Sequence, residues 1–308
     1  MPGSDSQIDL RSIFHPVNQK AGHALPYLRH RSFQDRPAML LTIRHETVYH
    51  YTAPLTYTIQ QLHLSPRPEV QQRTLTWNIR SSGSRHPFTD AFGNLSHTLT
   101  ITRPHHEVRI VAEGTVAVAP LHLGRLPQPG EFSPLVFTVS TQLTQPTAAV
   151  MDFARRHLQA GAGSKQLLGL AQAICAAVIY QSGSTAVTTS ADDALAQGQG
   201  VCQDHAHLFL ACCHTVGIPA RYVSGYIDPG NTSHAESHAW VDVWVQEGDF
   251  AGWISIDVTH ACFASNNYCR LAIGRDYDSA APVRGARRGG GEETLTVQVN
   301  VSARPSNQ

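Results

Sequence analysis

Lysine is almost missing from this 308-residue chain: only Lys20 and Lys165 occur, and arginine supplies the remaining basic charge. Lysine plus arginine total 23, as do aspartate plus glutamate, so neither sign is in surplus. Without a cationic field, the composition offers nothing to gather nucleic acid or an anionic membrane surface. No apolar run approaches the ~20 residues that a membrane span requires. The opening MPGSDSQIDLRSIF has neither the basic start nor the apolar stretch of a secretory leader. These absences predict a cytoplasmic protein that binds neither nucleic acid nor membrane, and they leave the oligomeric state open. The six cysteines (175, 202, 212, 213, 262 and 269) follow no framework spacing, and a reducing compartment would keep them as thiols. Paired C-x-x-C units are also missing, which argues against a structural zinc site.

What is present divides the chain in two. Residues 1–38 mix Ser, Gln, His, Arg and Pro without periodicity and read as a flexible extension. From residue 39 to 120, alternating segments recur at Leu41–Tyr51, Tyr57–Leu64, Arg73–Ile79, Ala91–Ile101 and Val108–Val118. That spacing, with Phe92-Gly93-Asn94-Leu95 read as a two-residue hairpin turn, predicts an antiparallel β-sandwich or barrel-like domain. Residues 121–145 are proline-rich and read as a connector. Beyond them the period becomes helical. Leu167, Leu168, Ala171, Ile174, Cys175, Val178 and Ile179 form one stripe, with Ser164 as N-cap and Gly183 as stop. Ser190 and Asp193 have the spacing of a capping box, and that helix ends at the glycines 198 and 200.

A further helix should begin at Cys202 and end before Gly217 and Pro219. At 100° per residue, Cys202, Ala206, Phe209, Leu210, Cys213 and Val216 share one face, and Gln203, His207 and His214 lie on another. A thiol at a helix N-terminus meets unpaired N–H groups and the positive dipole end, which favour a thiolate and can hold an oxyanion. A nucleophile also needs a base and a group to orient that base. SHAWVDVWV and GWISIDVT read as two strands of a hairpin joined by residues 246–251. Only registers that put their aliphatic residues on a common face satisfy burial, and those registers place His238 and Asp257 on the other face as direct or diagonal neighbours.

With these features in place, the sequence resembles the bacterial transglutaminase-like superfamily. GQGVCQDHAHLFLACCHTVGIPARYVSGYI, SHAWVDVWV, GWISIDVTHAC and LAIGRDYDSAAPVRGARRGGGEETLTVQV are similar to successive motifs of its core. IRHETVYHYTAPLTYTIQQLHLSPR and DAFGN are similar to its N-terminal β-region. The resemblance implies an α+β chain in which a papain-like catalytic domain at 146–301 follows the β-domain and 302–308 is a tail. It implies Cys202 as nucleophile, His238 as general base and then acid, and Asp257 as the group fixing the imidazole tautomer. The implied activity is thiol-dependent acyl transfer on a peptide or protein carrying an amide, through a thioester, with no cofactor and no metal. Hydrolysis is favoured over transfer to an amine because no EF-hand-like acidic loop suggests calcium control. A non-catalytic peptide-binding module is the third reading.

Other residues have competing explanations. Cys202, His205, Cys212 and Cys213 crowd one segment and His260, Cys262 and Cys269 another, but not at metal-ligand spacing. Gln203, Asp204 and His205 could touch substrate, while capping accounts for them equally well. Trp240, Trp244 and Trp253 are expected to pack between sheet and helices. RGARRGGGEE at 284–293 reads as a charged loop, and the alternating Leu295, Val297, Val299 and Val301 as a strand of unassigned sheet. Gln197, Gln199 and Tyr180 are candidates for a second oxyanion donor.

Overall fold

The computed structural model describes residues 38–127, 132–228, 230 and 237–306, so all but the last residue of the expected extension at 1–38 lies outside the described residues. The first half is built on one long strand, β1 (Met39–Leu62), in which Leu41, Ile43, His45 and Thr47 are buried while Thr42 and Arg44 are exposed. Two separate strands were expected here. They are one, bent where the pairing slips between His50 and Leu55, around Pro54. β2 (Gln72–Ser81), β3 (Ser84–Thr89), β4 (Leu95–Ile101) and β5 (His105–Val118) complete the antiparallel order β2-β5-β1-β4-β3. β3 escaped the sequence pattern because SRHPFT carries Pro87 and has no buried face. The expected two-residue turn is a five-residue loop, since Thr89 pairs with Leu95. Asp90 Oδ1 accepts the Phe92 and Asn94 N–H groups at 2.8 and 2.9 Å, and Gly93 takes the left-handed φ of +75° that closes the loop.

The described residues of the connector include three short 3-10 turns, His122–Gly124, Pro134–Phe137 and Gln142–Thr144. After them come α1 (Ala148–His157), α2 (Ser164–Ala177), β6 (Ile179–Tyr180), α3 (Ala191–Gln197), β7 (Gln199–Gly200) and α4 (Cys202–Thr215). Gly163, not Ser164, caps α2, and Ser164 Oγ instead donates to Glu247. α2 also ends early, at Ala177, because Ile179 and Tyr180 leave it to pair with β7. The Ser190–Asp193 capping box and the left-handed Gly198 bound α3 as expected. β8 (Ala220–Ile227), β9 (Ser237–Glu247), β10 (Phe250–Asp257), β11 (Cys262–Phe263) and β12 (Tyr268–Gly274) form a second antiparallel sheet in the order β11-β10-β9-β8-β12. β9 and β10 join through a two-residue turn, Gly248-Asp249, shorter than expected.

The helices bury Val241, Val243, Val245, Ile254 and Ile256 on one face of this sheet. Trp240 and Trp253 lie on the opposite face, under Leu126 and Phe137 of the connector. The tryptophans therefore do not pack against the helices: strand alternation assigns the aliphatic set to the helices and leaves the rings for the connector to cover. α4 is surrounded, by β8 and β9 and by α1, α2 and α3, so every residue from Gln203 to Cys213 is buried and no polar face exists.

After the one-turn α5 (Tyr277–Ala280) the chain returns to the first sheet. β13 (Val283–Gly289) and β14 (Glu293–Pro305) both pair antiparallel with β1. The segment 284–293, expected as a loop, is mostly strand, and residues 302–305, expected as tail, pair with β1 as far as Met39. Buried polar groups connect the two sheets. Asn94 of the DAFGN loop bonds both Ile273 N and Ile273 O at 2.9 Å. Arg270 reaches Asp242 of β9 at 2.5 and 3.0 Å and Glu69 at 3.2 Å, and Arg221 donates to Asp242 at 2.8 Å.

Candidate active site

Cys202 is the first residue of α4 and is half-buried. Asp204 and His205 N–H groups already bond to Val201 O, so the N–H groups nearest the thiol are the orphan donors of a helix start. Asp204 shapes the approach to this position. Its Oδ2 accepts Val201 N–H at 2.8 Å and the Thr185 hydroxyl at 2.6 Å. It sits so close to Gly200 that a Cβ there would meet the Asp204 Cβ at 2.8 Å, which is why a glycine precedes the helix. Asp204 thus has the capping role, and Gln203 is likewise held structurally, donating to Val187 O at 3.2 Å. His205 bonds Thr259 Oγ1 at 3.0 Å and Val178 O at 2.8 Å, a buried ring that ties α4 to the strand end.

The hairpin register is fixed by Val241↔Ile256 and Val243↔Ile254, the aliphatic pairing that burial demands. It brings His238 Nε2 to 2.8 Å from Asp257 Oδ2, with the Cys202 thiol close enough to help raise the His238 pKa. The structure therefore joins His238 to Asp257 directly and leaves Cys202, at the start of α4, near the imidazole. Burial alone would pull His238 down, but the Asp257 carboxylate, its hydrogen bond and the neighbouring Cys202 outweigh that, and its pKa rises to about 10. Asp257, fully buried, is held well below the usual carboxylate range: burial pushes it up, and the His238 charge and hydrogen bonds from His238 and His260 overcome that push.

Three donors converge on Asp257 Oδ2: His238 Nε2, His260 Nδ1 at 2.6 Å and the Tyr268 hydroxyl at 2.8 Å. Sequence reading missed both added partners. His260 follows Asp257 by three residues and drew notice only as a possible metal ligand; Tyr268 arrives from β12, and no local signal announces it. His238 Nε2, Asp257 Oδ2 and His260 Nδ1 lie within 4.8 Å of one another, so these atoms could hold a metal ion. A cation there would displace the hydrogen bonds that orient His238 toward the thiol.

The remaining cysteines are differently placed. Burial pushes the Cys212 thiol up to about 12 and raises Cys213 and Cys269 too; burial and the Asp257 charge raise Cys175 and Cys262. Cys175 Sγ donates to Val258 O at 2.8 Å, just past the end of β10, rather than serving as simple packing. Of the oxyanion candidates, Tyr180 pairs with Gly200 in the β6-β7 ladder and is close enough to Cys202 for that thiol to help raise its pKa, after burial. Gln197 and Gln199 are exposed.

Comparison with known proteins agrees with this architecture. Residues 152–258 match the transglutaminase-like superfamily, and residues 41–117 match the bacterial transglutaminase-like N-terminal region. Uncharacterized protein ML0607 of Mycobacterium leprae is 29% identical over 278 residues, covering 85% of this chain and 98% of the relative. Uncharacterized protein Rv2569c of Mycobacterium tuberculosis is 30% identical over 270 residues, covering 79% and 86%. The crystal structure of a "Putative Cysteine Protease" from Cytophaga hutchinsonii superposes with a TM-score of 0.69 at 22% identity, covering 88% of this chain and 92% of that one. No helix among the described residues is long and apolar enough to cross a membrane. With a near-closed antiparallel sheet in front of a papain-like α+β core, and with relatives spanning most of its length, the chain belongs to the bacterial transglutaminase-like superfamily.

Proposed function

We propose that the chain is a cysteine-dependent hydrolase of amide bonds in a peptide or protein, working through a thioester on Cys202 without a cofactor. The observation that carries this reading is the His238 ring, bonded to Asp257 through Nε2 at 2.8 Å and close enough to the Cys202 thiol for the two to influence each other. His238 takes the thiol proton, and Asp257 holds the resulting imidazolium. The thiolate attacks the amide carbonyl carbon, and the oxyanion lies against the first N–H groups of α4. His238 returns its proton to the departing nitrogen, the C–N bond breaks, and the acyl group stays on sulfur. Water, deprotonated by His238, then attacks the thioester, and the C–S bond breaks to give a carboxylate and the free thiol.

The test is alkylation by iodoacetamide across pH, with mass spectrometry to locate the modified cysteine in the wild type and in His238→Ala. Cys202 should react ahead of the other five cysteines, and His238→Ala should slow that reaction while Cys202→Ala removes it. A Cys202 no faster than Cys212 would sink the assignment. Adding a primary amine to a peptide-amide assay then separates acceptors: a carboxylate product supports hydrolysis, and an amine-linked product makes the enzyme a transglutaminase.

A further inference from the structure

A strand at the edge of a sheet leaves half its backbone N–H and C=O groups unpaired, and proteins guard such edges with charge, proline, glycine, bulges or short length. Among the described residues the first sheet has four edge strands, and three are guarded. β2 carries Arg73 and Arg80, and its register slips between Thr74 and Thr76. β3 is six residues long and contains Pro87. β13 carries Arg284, Arg287 and Arg288, with glycines at 285 and 289.

β14 carries such devices only at its ends, as Glu293, Arg304 and Pro305. Between Glu293 and Arg304 its sequence is TLTVQVNVSA, without charge, proline or glycine, and it runs beside β1 in unbroken register from Tyr51↔Glu293 to Met39↔Pro305. Thr52 N–H donates to Glu292 O at 3.1 Å and Ser306 N–H to Ala38 O at 2.9 Å, in that same register. The even-numbered residues of β14 therefore direct their backbone groups to β1. The odd-numbered ones, Leu295, Val297, Val299, Val301 and Ala303, direct theirs away from it. Among the described residues, β14 pairs only with β1. Leu295 and Val297 are also 51% and 48% exposed, while Val299 and Ala303 continue that apolar face into the packing around Leu41, Ile43 and Tyr226.

We propose that β14 is the surface through which two copies of this chain associate, strand to strand and antiparallel across a two-fold axis, as one continuous sheet. The strand is its own complement. With the axis at Gln298, Leu295 lies opposite Val301 of the second copy and Val297 opposite Val299, so apolar residues meet apolar residues on one face. Thr294 and Thr296 meet Ser302 and Asn300 on the other. At both ends the exposed Arg304 meets the exposed Glu292, which gives the antiparallel direction a charge preference.

Size-exclusion chromatography with light scattering on the full chain tests this. A mass near twice 33.6 kDa is expected. Val297→Lys should return the mass of one chain with the same melting temperature and the same Cys202 alkylation. Gln298→Cys, on the axis, should form a disulfide-linked dimer on oxidation that the wild type does not form. If Val297→Lys fails to fold, the crosslink decides. A monomeric wild type, a dimer that survives Val297→Lys, or an uncrosslinked Gln298→Cys would overturn the proposal. A full chain that is monomeric and dimerises only after removal of residues 1–37 would make that segment the occupant of the edge. Alkylation at Cys202 reports the active-site reading separately, so either can fail alone.

Discussion

The two sheets use polar residues in opposite ways. β12 is buried at every position, whereas β13, nine residues further along the chain, is exposed at all but its first. The second sheet is covered on both faces, by helices and by the connector, so each polar side chain within it must find a partner or cost free energy. The buried core of β9 and β10 does so: His238 and Asp257 bond each other, Asp242 lies between two arginines, and Ser255 accepts the Trp240 N–H at 3.0 Å. In the first sheet, Thr42 and Thr296 are exposed, and Arg44 pairs with Glu46 and Glu113 at the surface. A polar residue on β9 or β10 therefore signals a bonded partner, whereas on the exposed face of β1 and on β14 it carries little information.

The sharpest way to break this contrast is to remove a carboxylate from the covered sheet. Asp257→Ala should lower amide turnover by about 10²-fold or more, because the imidazole loses both its orientation and its counter-charge. The pH profile should change with it. His238 is raised by its partners, so the imidazolium needed to protonate the leaving nitrogen is present below pH about 10 and lost as pH rises through that value. Without Asp257 the alkaline limb should fall toward the ~6.5 of an unperturbed histidine. A limb that stays near 10 in the variant would remove Asp257 from the mechanism.

Next in size is a change at a covered charge with no chemical role. Asp242→Ala leaves Arg221 buried without its carboxylate and Arg270 with Glu69 alone, which should cost about 3–5 kcal/mol of stability. Cys202 alkylation in the protein that remains folded should be unchanged. Arg155→Ala provides the contrast, since its partner Asp152 is an exposed neighbour on α1 and such pairs contribute about 0–1 kcal/mol. Chemical denaturation of the two variants gives both numbers; equal losses would erase the distinction between covered and open faces.

Local pattern accounts for what could be read in the sequence. Capping chemistry located α3, the glycines around Cys202 located the start of α4, and alternation set the β9-β10 register that brings His238 to Asp257. What escaped was non-local. β13 and β14 show the right alternation, but nothing in residues 283–305 says that their partner is β1, more than two hundred residues earlier. α4 was read as two-faced because His207 and Gln203 are polar. Its surroundings are closed instead, and His207 accepts the Tyr277 N–H at 3.0 Å with its pKa pulled down to about 4 by burial. Asp242 alternates onto the His238 face of β9, but the two arginines that make it structural come from other strands.

The smallest effect separates positioning from packing within the site itself. Tyr268 donates to Asp257 Oδ2 at 2.8 Å, and its ring packs edge-on against Trp240 at 5.3 Å between centroids. Tyr268→Phe keeps the ring and removes only the hydroxyl. Asp257 retains His238 and His260 as donors, so no buried acceptor is orphaned and the stability cost should stay near ~1 kcal/mol. With one donor fewer, the carboxylate draws the His238 proton more strongly, which predicts an alkaline limb moved upward and a rate loss smaller than that of Asp257→Ala. If Tyr268 serves packing alone, the phenylalanine variant keeps the wild-type limb. If it shares the Asp257 charge, the limb moves while the melting temperature hardly does.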